Sequence, residues 1–175
     1  MQEVRIKTAG VTLAALEQGE GPLVLMIHGH PGLGWSWRHQ LPALAAAGYR
    51  AVAVDSLGYG GSDRPAEADA YTSERMQAIF TGVLDHYGAE RAAIVGQDFG
   101  AQYAWNMAVR STERVRGLAT TIPYDYDLAG RAMLGSAPRL PAGPPPPAPR
   151  ASPAQPASEP VAGRAGGGGP PRAVE

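Results

Sequence analysis

The segment 93–101 constrains what this chain can fold into more than any other stretch, and it reads Ala-Ile-Val-Gly-Gln-Asp-Phe-Gly-Ala. A short apolar run ends in a small-x-Asp-x-small pattern, and a helical pattern follows at once. This order is typical of a nucleophile elbow, a strained strand-to-helix turn that projects one side chain from the top of a parallel sheet. Gly96 and Gly100 flank Asp98, as expected if a Cβ at either position would collide with the neighbouring turn.

The presence of Asp98 rather than Ser at this turn limits the reactions that the site could catalyse, because a carboxylate and a hydroxyl suit different electrophiles. If Ser attacked a saturated carbon, the product would be an ether that water could not release. Asp would form an ester on its own side chain, which water can hydrolyse. The pattern therefore indicates substrates with an electrophilic saturated carbon, such as epoxides and haloalkanes. The alternative interpretation is an ordinary buried or N-cap Asp at a helix start.

Charge and cysteine content exclude several classes of function. The chain has 175 residues, a net charge of -1 and no cysteine. Neither nucleic acid nor an anionic membrane is expected as a partner, and disulfides and thiolate metal sites are excluded. No apolar run is long enough for a signal peptide or a membrane span, so a soluble, cytoplasmic protein is expected. No pair of histidines has a metal-ligand spacing, and no cofactor is predicted.

A sharp break in composition divides the chain at about residue 130. Twelve of the 17 prolines lie between Pro138 and Pro171, and the last 45 residues contain no aromatic side chain. Such a stretch cannot bury enough apolar surface to offset its chain entropy. We therefore expect a folded part over residues 1–130 and a disordered Pro/Gly/Ala-rich tail over residues 131–175. A proline-rich docking tail is the alternative.

Hydrophobic periodicity predicts two hairpin strands near the amino terminus and then strands that alternate with helices from residue 23 onward. Predicted strands are 23–27, 51–54, 91–95 and 115–122, and predicted helices are 36–47 and 99–110. Between them an amphipathic helix is predicted, with an apolar face from Met76 to Tyr87 and Gly88 ending it. This alternation favours a doubly wound, mostly parallel α/β sheet. Reactive groups gather at the carboxyl ends of such strands, where His30, Tyr59, Asp98 and Tyr124 fall. His28 is expected to be a hydrogen-bonded structural residue, and His39 and His86 to be exposed.

One competing motif follows the strand 23–27. Gly29, Gly32 and Gly34 loosely resemble a dinucleotide-binding loop, with Asp55 ending the next strand. The spacing differs from G-x-G-x-x-G, and Trp37 stands where a third glycine should allow close packing. The motif therefore does not support a nucleotide cofactor.

Four motifs together resemble the α/β-hydrolase-fold epoxide hydrolases. They are His28-Gly29-His30-Pro31, Trp35-Ser36-Trp37-Arg38, the segment 55–65, and Gly96-Gln97-Asp98-Phe99-Gly100 with Trp105. The resemblance implies an α/β-hydrolase core, an apolar epoxide as small-molecule substrate, and Asp98 as the nucleophile. It also implies an oxyanion hole formed by the backbone N–H groups of His30 and Phe99.

Two related families differ at positions close to the nucleophile. Haloalkane dehalogenases hold the halide with an indole N–H directly after the nucleophile, where this chain has Phe99, which offers no donor. Fluoroacetate-type dehalogenases carry Arg there and again three residues later, where this chain has Phe99 and Gln102. Epoxide opening fits best, and a haloalkane dehalogenase relative stays an alternative.

The chain departs from the family after Asp98. In this fold the order is nucleophile, acid, histidine, yet all four histidines precede Asp98. Asp125 and Asp127 stand where some relatives carry the charge-relay acid, but that role is empty without a later histidine. The tail also offers no counterpart of the family's lid tyrosines. We therefore expect the amino-terminal half of a hydrolase, incomplete at its C-terminal end and inactive, joined to an unrelated tail. The tail has the composition expected if GC-rich coding sequence were translated in a shifted reading frame. A non-catalytic fragment or pseudoenzyme is the alternative.

Overall fold

A computed structural model describes residues 1–121 of the chain. The strands are β1 Gln2–Thr8, β2 Val11–Gln18, β3 Leu23–Ile27, β4 Arg50–Val54, β5 Ala92–Gly96 and β6 Val115–Thr120. The α-helices are α1 Gln40–Ala46, α2 Ser73–His86 and α3 Phe99–Arg110. Short 3-10 turns cover Gly34–Trp37, Ala68–Tyr71 and Thr112–Arg114. None of the helices in this part of the chain is both long and apolar enough to cross a membrane.

The six strands form one mixed sheet in the order β1-β2-β4-β3-β5-β6. β1 pairs with β2 and β2 with β4 in antiparallel fashion. β4, β3, β5 and β6 run parallel to one another. The carboxyl ends of these four strands therefore share one edge of the sheet, as the alternating pattern predicted.

Helices cover both faces of the sheet, which confirms the doubly wound arrangement. Successive side chains of a strand point to opposite faces, and every residue of β3 is buried. Leu25 and Ile27 pack in a cluster with the apolar faces of α2 and α3. Val24 and Met26 pack on the other face, in a cluster with Trp37 and Leu41 from the α1 side.

The helix predicted over residues 36–47 is shorter than expected. A 3-10 turn ends at Trp37 and α1 begins only at Gln40. Pro42 explains the late start, because a proline has no backbone N–H and is tolerated only in the first turn of an α-helix. The predicted strand 115–122 is described as β6 only to Thr120. The expectations for Tyr124, Asp125, Asp127, the domain boundary at residue 130 and the tail lie outside the described residues.

Candidate active site

The turn between β5 and α3 holds Asp98 in a backbone conformation that side chains rarely adopt. Its φ is 53° and its ψ is -122°, and a non-glycine residue in such a conformation stores strain that the surrounding structure must hold. The two glycines allow this tight turn. A Cβ on Gly96 would lie 2.3 Å from the carbonyl oxygen of Gly100, and a Cβ on Gly100 would lie 2.1 Å from that of Ile27.

The Asp98 carboxylate does not cap the helix that follows it. Asp98 occupies the N-cap position of α3, but its side chain makes no capping hydrogen bond. The backbone N–H of His30 instead donates to Asp98 Oδ1 at 3.0 Å. Hydrogen bonds from the backbone N–H groups of His30 and Phe99 lower the pKa of Asp98. The carboxylate is therefore ionised at neutral pH, as a nucleophile requires.

The loop after β3 approaches the elbow closely enough to exclude a side chain at Gly29. A Cβ on Gly29 would lie 2.3 Å from the Asp98 Cβ. The buried His28 side chain holds this loop in place through two hydrogen bonds. Its Nε2 accepts a hydrogen bond from the Ser56 N–H at 3.0 Å. Its Nδ1 must therefore carry the ring proton, which it donates to the Gly29 carbonyl oxygen 2.8 Å away. Burial lowers the pKa of His28 and keeps the ring neutral. His28 is thus the structural histidine that the sequence predicted.

Asp55 ties the loop after β4 to the loop after β3. Its Oδ1 accepts the Gly34 N–H at 2.8 Å, and its Oδ2 accepts the Gly61 N–H at 3.0 Å. Sequence reasoning named Asp55 in the rejected dinucleotide motif and within the segment 55–65, but it missed this bridge. The available signal was an acidic residue directly after a buried strand and before a glycine-rich loop. The backbone N–H groups of such a loop need hydrogen-bond acceptors, which a carboxylate can supply.

His30 and Tyr59 form a hydrogen-bonded pair beside the nucleophile. The distance between His30 Nδ1 and Tyr59 Oη is 3.0 Å, and the Tyr59 ring also lies edge-on to His28, with centroids 5.1 Å apart. An electrostatic effect of His30 adds to the lowering of the pKa of Asp98, after the two backbone hydrogen bonds. The sequence placed both residues at strand ends but did not predict that they pair.

A cavity of about 380 Å³ opens next to the elbow. Phe99 and Tyr103 of α3 form one wall and the loops after β3 and β4 form the others, with Tyr71 and Met76 closing the α2 side. Four of its lining residues are Phe or Tyr and two more are Leu57 and Met76, which suits a small molecule with an apolar part.

The structure brings three of the predicted site residues together, namely His30, Asp98 and Phe99. The candidate acids Asp125 and Asp127 lie outside the described residues. Within residues 1–121, no three His, Asp or Glu side chains are grouped so that they could hold a metal ion.

Comparison with known proteins places this geometry in a family. The family model of the alpha/beta hydrolase fold matches residues 22–144. Epoxide hydrolase A of Mycobacterium tuberculosis is 48% identical over 116 residues, which cover 65% of this chain and 36% of the relative. An epoxide hydrolase of Caballeronia sordidicola is 41% identical over 125 residues, which cover 71% of this chain and 38% of the relative.

A solved structure shows the same relationship. The crystal structure of epoxide hydrolase A from Mycobacterium thermoresistibile matches with a TM-score of 0.67 and 42% identity, over 77% of this chain and 45% of that one. The chain spans between a third and two fifths of the length of these two curated relatives. The chain therefore belongs to the α/β-hydrolase fold family and is a relative of the epoxide hydrolases within it.

Proposed function

We propose that Asp98 is the nucleophile of an epoxide-opening reaction. The observation that carries this proposal is the 3.0 Å hydrogen bond from the His30 N–H to Asp98 Oδ1. With Oδ1 held, Oδ2 attacks an epoxide carbon and forms a C–O bond. The ring C–O bond breaks, its electron pair moves to the former ring oxygen, and that oxygen takes up a proton from water. The product is an ester between Asp98 and a hydroxyalkyl group.

The two backbone N–H groups suit the hydrolysis of that ester. Water adds to Asp98 Cγ and gives up a proton to the solvent, and the negative charge develops on Oδ1, toward which the His30 N–H already points. Phe99 supplies the second N–H, as its effect on the pKa of Asp98 indicates. Donors that are already oriented stabilise this charge without reorganisation. The bond between Cγ and Oδ2 then breaks, Oδ2 takes up a proton from the solvent, and the diol leaves with Oδ2.

Phe99 favours an epoxide over a haloalkane as the substrate. Its phenyl ring is about half exposed at the mouth of the site, and a phenyl ring has no N–H with which to hold a leaving halide. An epoxide releases no halide: its ring oxygen stays attached to the substrate and takes up a proton instead.

We further propose that ester hydrolysis is slow in this chain, because none of its histidines follows Asp98. Activation of water by a general base is typically worth about 10²- to 10⁴-fold. The expected behaviour is therefore a single alkylation of Asp98 without sustained turnover. A purely non-catalytic, hydrolase-like chain is the alternative, and it would give no alkylation.

Intact-mass measurement after incubation of the full chain with styrene oxide tests both proposals. One epoxide mass should be added, and peptide mapping should place it on Asp98. Asp98→Asn should abolish the adduct, whereas Asp69→Asn, at an exposed position in the turn Ala68–Tyr71, should retain it. An adduct that persists in Asp98→Asn would remove Asp98 from the nucleophile role. Multiple-turnover diol formation that is lost in His30→Gln would show that His30 activates water and would contradict the second proposal.

A further inference from the structure

Three tyrosines line the cavity beside the elbow, and the hydroxyl groups of two of them are engaged. Tyr59 Oη pairs with His30 Nδ1 at 3.0 Å, and Tyr71 Oη donates to the Pro65 carbonyl oxygen at 2.9 Å. The Tyr103 hydroxyl hydrogen-bonds to no residue of the described range 1–121, and Tyr103 lines the same cavity. Tyr103 therefore offers a donor that no other residue in the described part of the chain uses.

The Tyr103 ring is held in place by packing rather than by its hydroxyl. Tyr103 follows Phe99 by four residues in α3, so both lie on one face of the helix. Its ring packs against Phe80 with centroids 5.4 Å apart. Burial, with a smaller contribution from nearby Tyr59, raises the pKa of Tyr103. The phenol is thus protonated, and able to donate, throughout the neutral range.

A second hydroxyl at this cavity also lacks a partner. Ser56 is only 3% exposed, and its Oγ, which is buried, has no hydrogen-bond partner within residues 1–121. Its backbone N–H is already bound to His28. A buried polar atom without a partner is unusual and calls for one. The cavity is therefore lined by two residues, Tyr103 and Ser56, whose hydroxyl groups have no partner within residues 1–121.

We propose that this cavity is a substrate subsite for an aromatic group that carries a carbonyl oxygen, with the Tyr103 hydroxyl as its hydrogen-bond donor. The aromatic ring of the ligand would pack against the aromatic side chains of the cavity, which include Phe99 and Tyr71. The Tyr103 hydroxyl would donate a hydrogen bond to the carbonyl oxygen of the ligand. The inference deepens the proposed function, on which it rests in taking Asp98 as the reacting centre. The substrate class it assigns is the carbonyl-bearing aryl epoxides.

Two ligands of the same shape isolate the hydrogen bond. Acetophenone and α-methylstyrene differ in having C=O or C=CH2 at one position, and neither contains an epoxide. Each is titrated into the ¹⁵N-labelled full chain, and the ratio of the two dissociation constants is compared between variants. One neutral hydrogen bond contributes only a modest net free energy of binding. Tyr103→Phe should therefore weaken the binding of acetophenone relative to that of α-methylstyrene by about two- to tenfold. Amide shifts should change around Phe99 and Tyr103.

Tyr49→Phe is the matched control, because Tyr49 is exposed and lies outside the cavity; it should leave the ratio unchanged. An unchanged ratio in Tyr103→Phe, or shift changes confined to residues away from the cavity, would overturn the subsite. Asp98→Asn should keep the wild-type ratio, since neither probe reacts. If styrene oxide failed to alkylate the wild-type chain while the ratio still depended on Tyr103, the proposed function would be refuted and the subsite would stand.

Discussion

Replacing Gly100 by Ala tests whether the elbow depends on the close approach of α3 to the end of β3. A Cβ on Gly100 would lie 2.1 Å from the Ile27 carbonyl oxygen and 2.7 Å from that of His28. Ordinary contact begins at 3.4 Å, so the first distance is about 1.3 Å too short. Both obstacles are backbone atoms, which cannot move aside by rotation of a side chain. We therefore expect the amino-terminal end of α3 to move away from β3.

The net loss of stability follows from two opposing contributions. Overpacking in a well-packed interior costs about 1–3 kcal/mol, and the upper part of this range applies to a clash with backbone. Alanine favours a helix over glycine by at most about 1 kcal/mol. The expected decrease in the free energy of unfolding is therefore about 2 kcal/mol.

The same displacement should impair the site. The His30 N–H reaches Asp98 Oδ1 at 3.0 Å, and a shift of about 1 Å would break this bond. A misplacement of that size can cost about 10²-fold in rate. Alkylation of Asp98 by styrene oxide should slow by at least an order of magnitude, even at temperatures where the variant is fully folded.

Urea unfolding followed by tryptophan fluorescence measures the first effect, and timed intact-mass spectra measure the second. Gly117→Ala is the control: Gly117 is exposed in β6, and nothing lies within 4 Å of a Cβ at that position. Gly117→Ala should be neutral or should stabilise the chain by about 0.5 kcal/mol, because alanine lowers the conformational entropy of the unfolded chain. A Gly100→Ala variant as stable and as reactive as Gly117→Ala would refute the steric argument.

Two further predictions concern pH. Because the N–H groups of His30 and Phe99 lower the pKa of Asp98, its carboxyl carbon should titrate by NMR with a midpoint below 3.8. The associated stabilisation is present above that value and is lost as the pH falls toward the lowered pKa; a midpoint above 3.8 would contradict this. Burial and the hydrogen bond to Glu17 raise the pKa of Tyr87, so the unfolded chain ionises first and stability should fall as the pH rises above about 10. The urea midpoint of Tyr87→Phe should fall less steeply there, and an equal slope would count against the assignment.

Local patterns in the sequence were sufficient for the elements and for the identity of the elbow. Strand β3 was predictable as a continuous apolar run, α2 as a periodic apolar face ended by Gly88, and α3 with its stated bounds. Each of these signals lies within a few residues of the feature it specifies. The start of α1 was misplaced because the effect of Pro42 on the first turn was not considered.

Contacts between distant residues were decided only by the tertiary structure. Asp55 bridges Gly34 and Gly61, His30 pairs with Tyr59 across 29 positions, and Tyr103 shares its cavity with Ser56. No pattern along the chain encodes these distances. They arise because β4, β3 and β5 run parallel and bring the loops at their carboxyl ends to one edge. The sequence by itself therefore determined which residue stands at the elbow, whereas sheet order and close backbone packing determined which groups surround it.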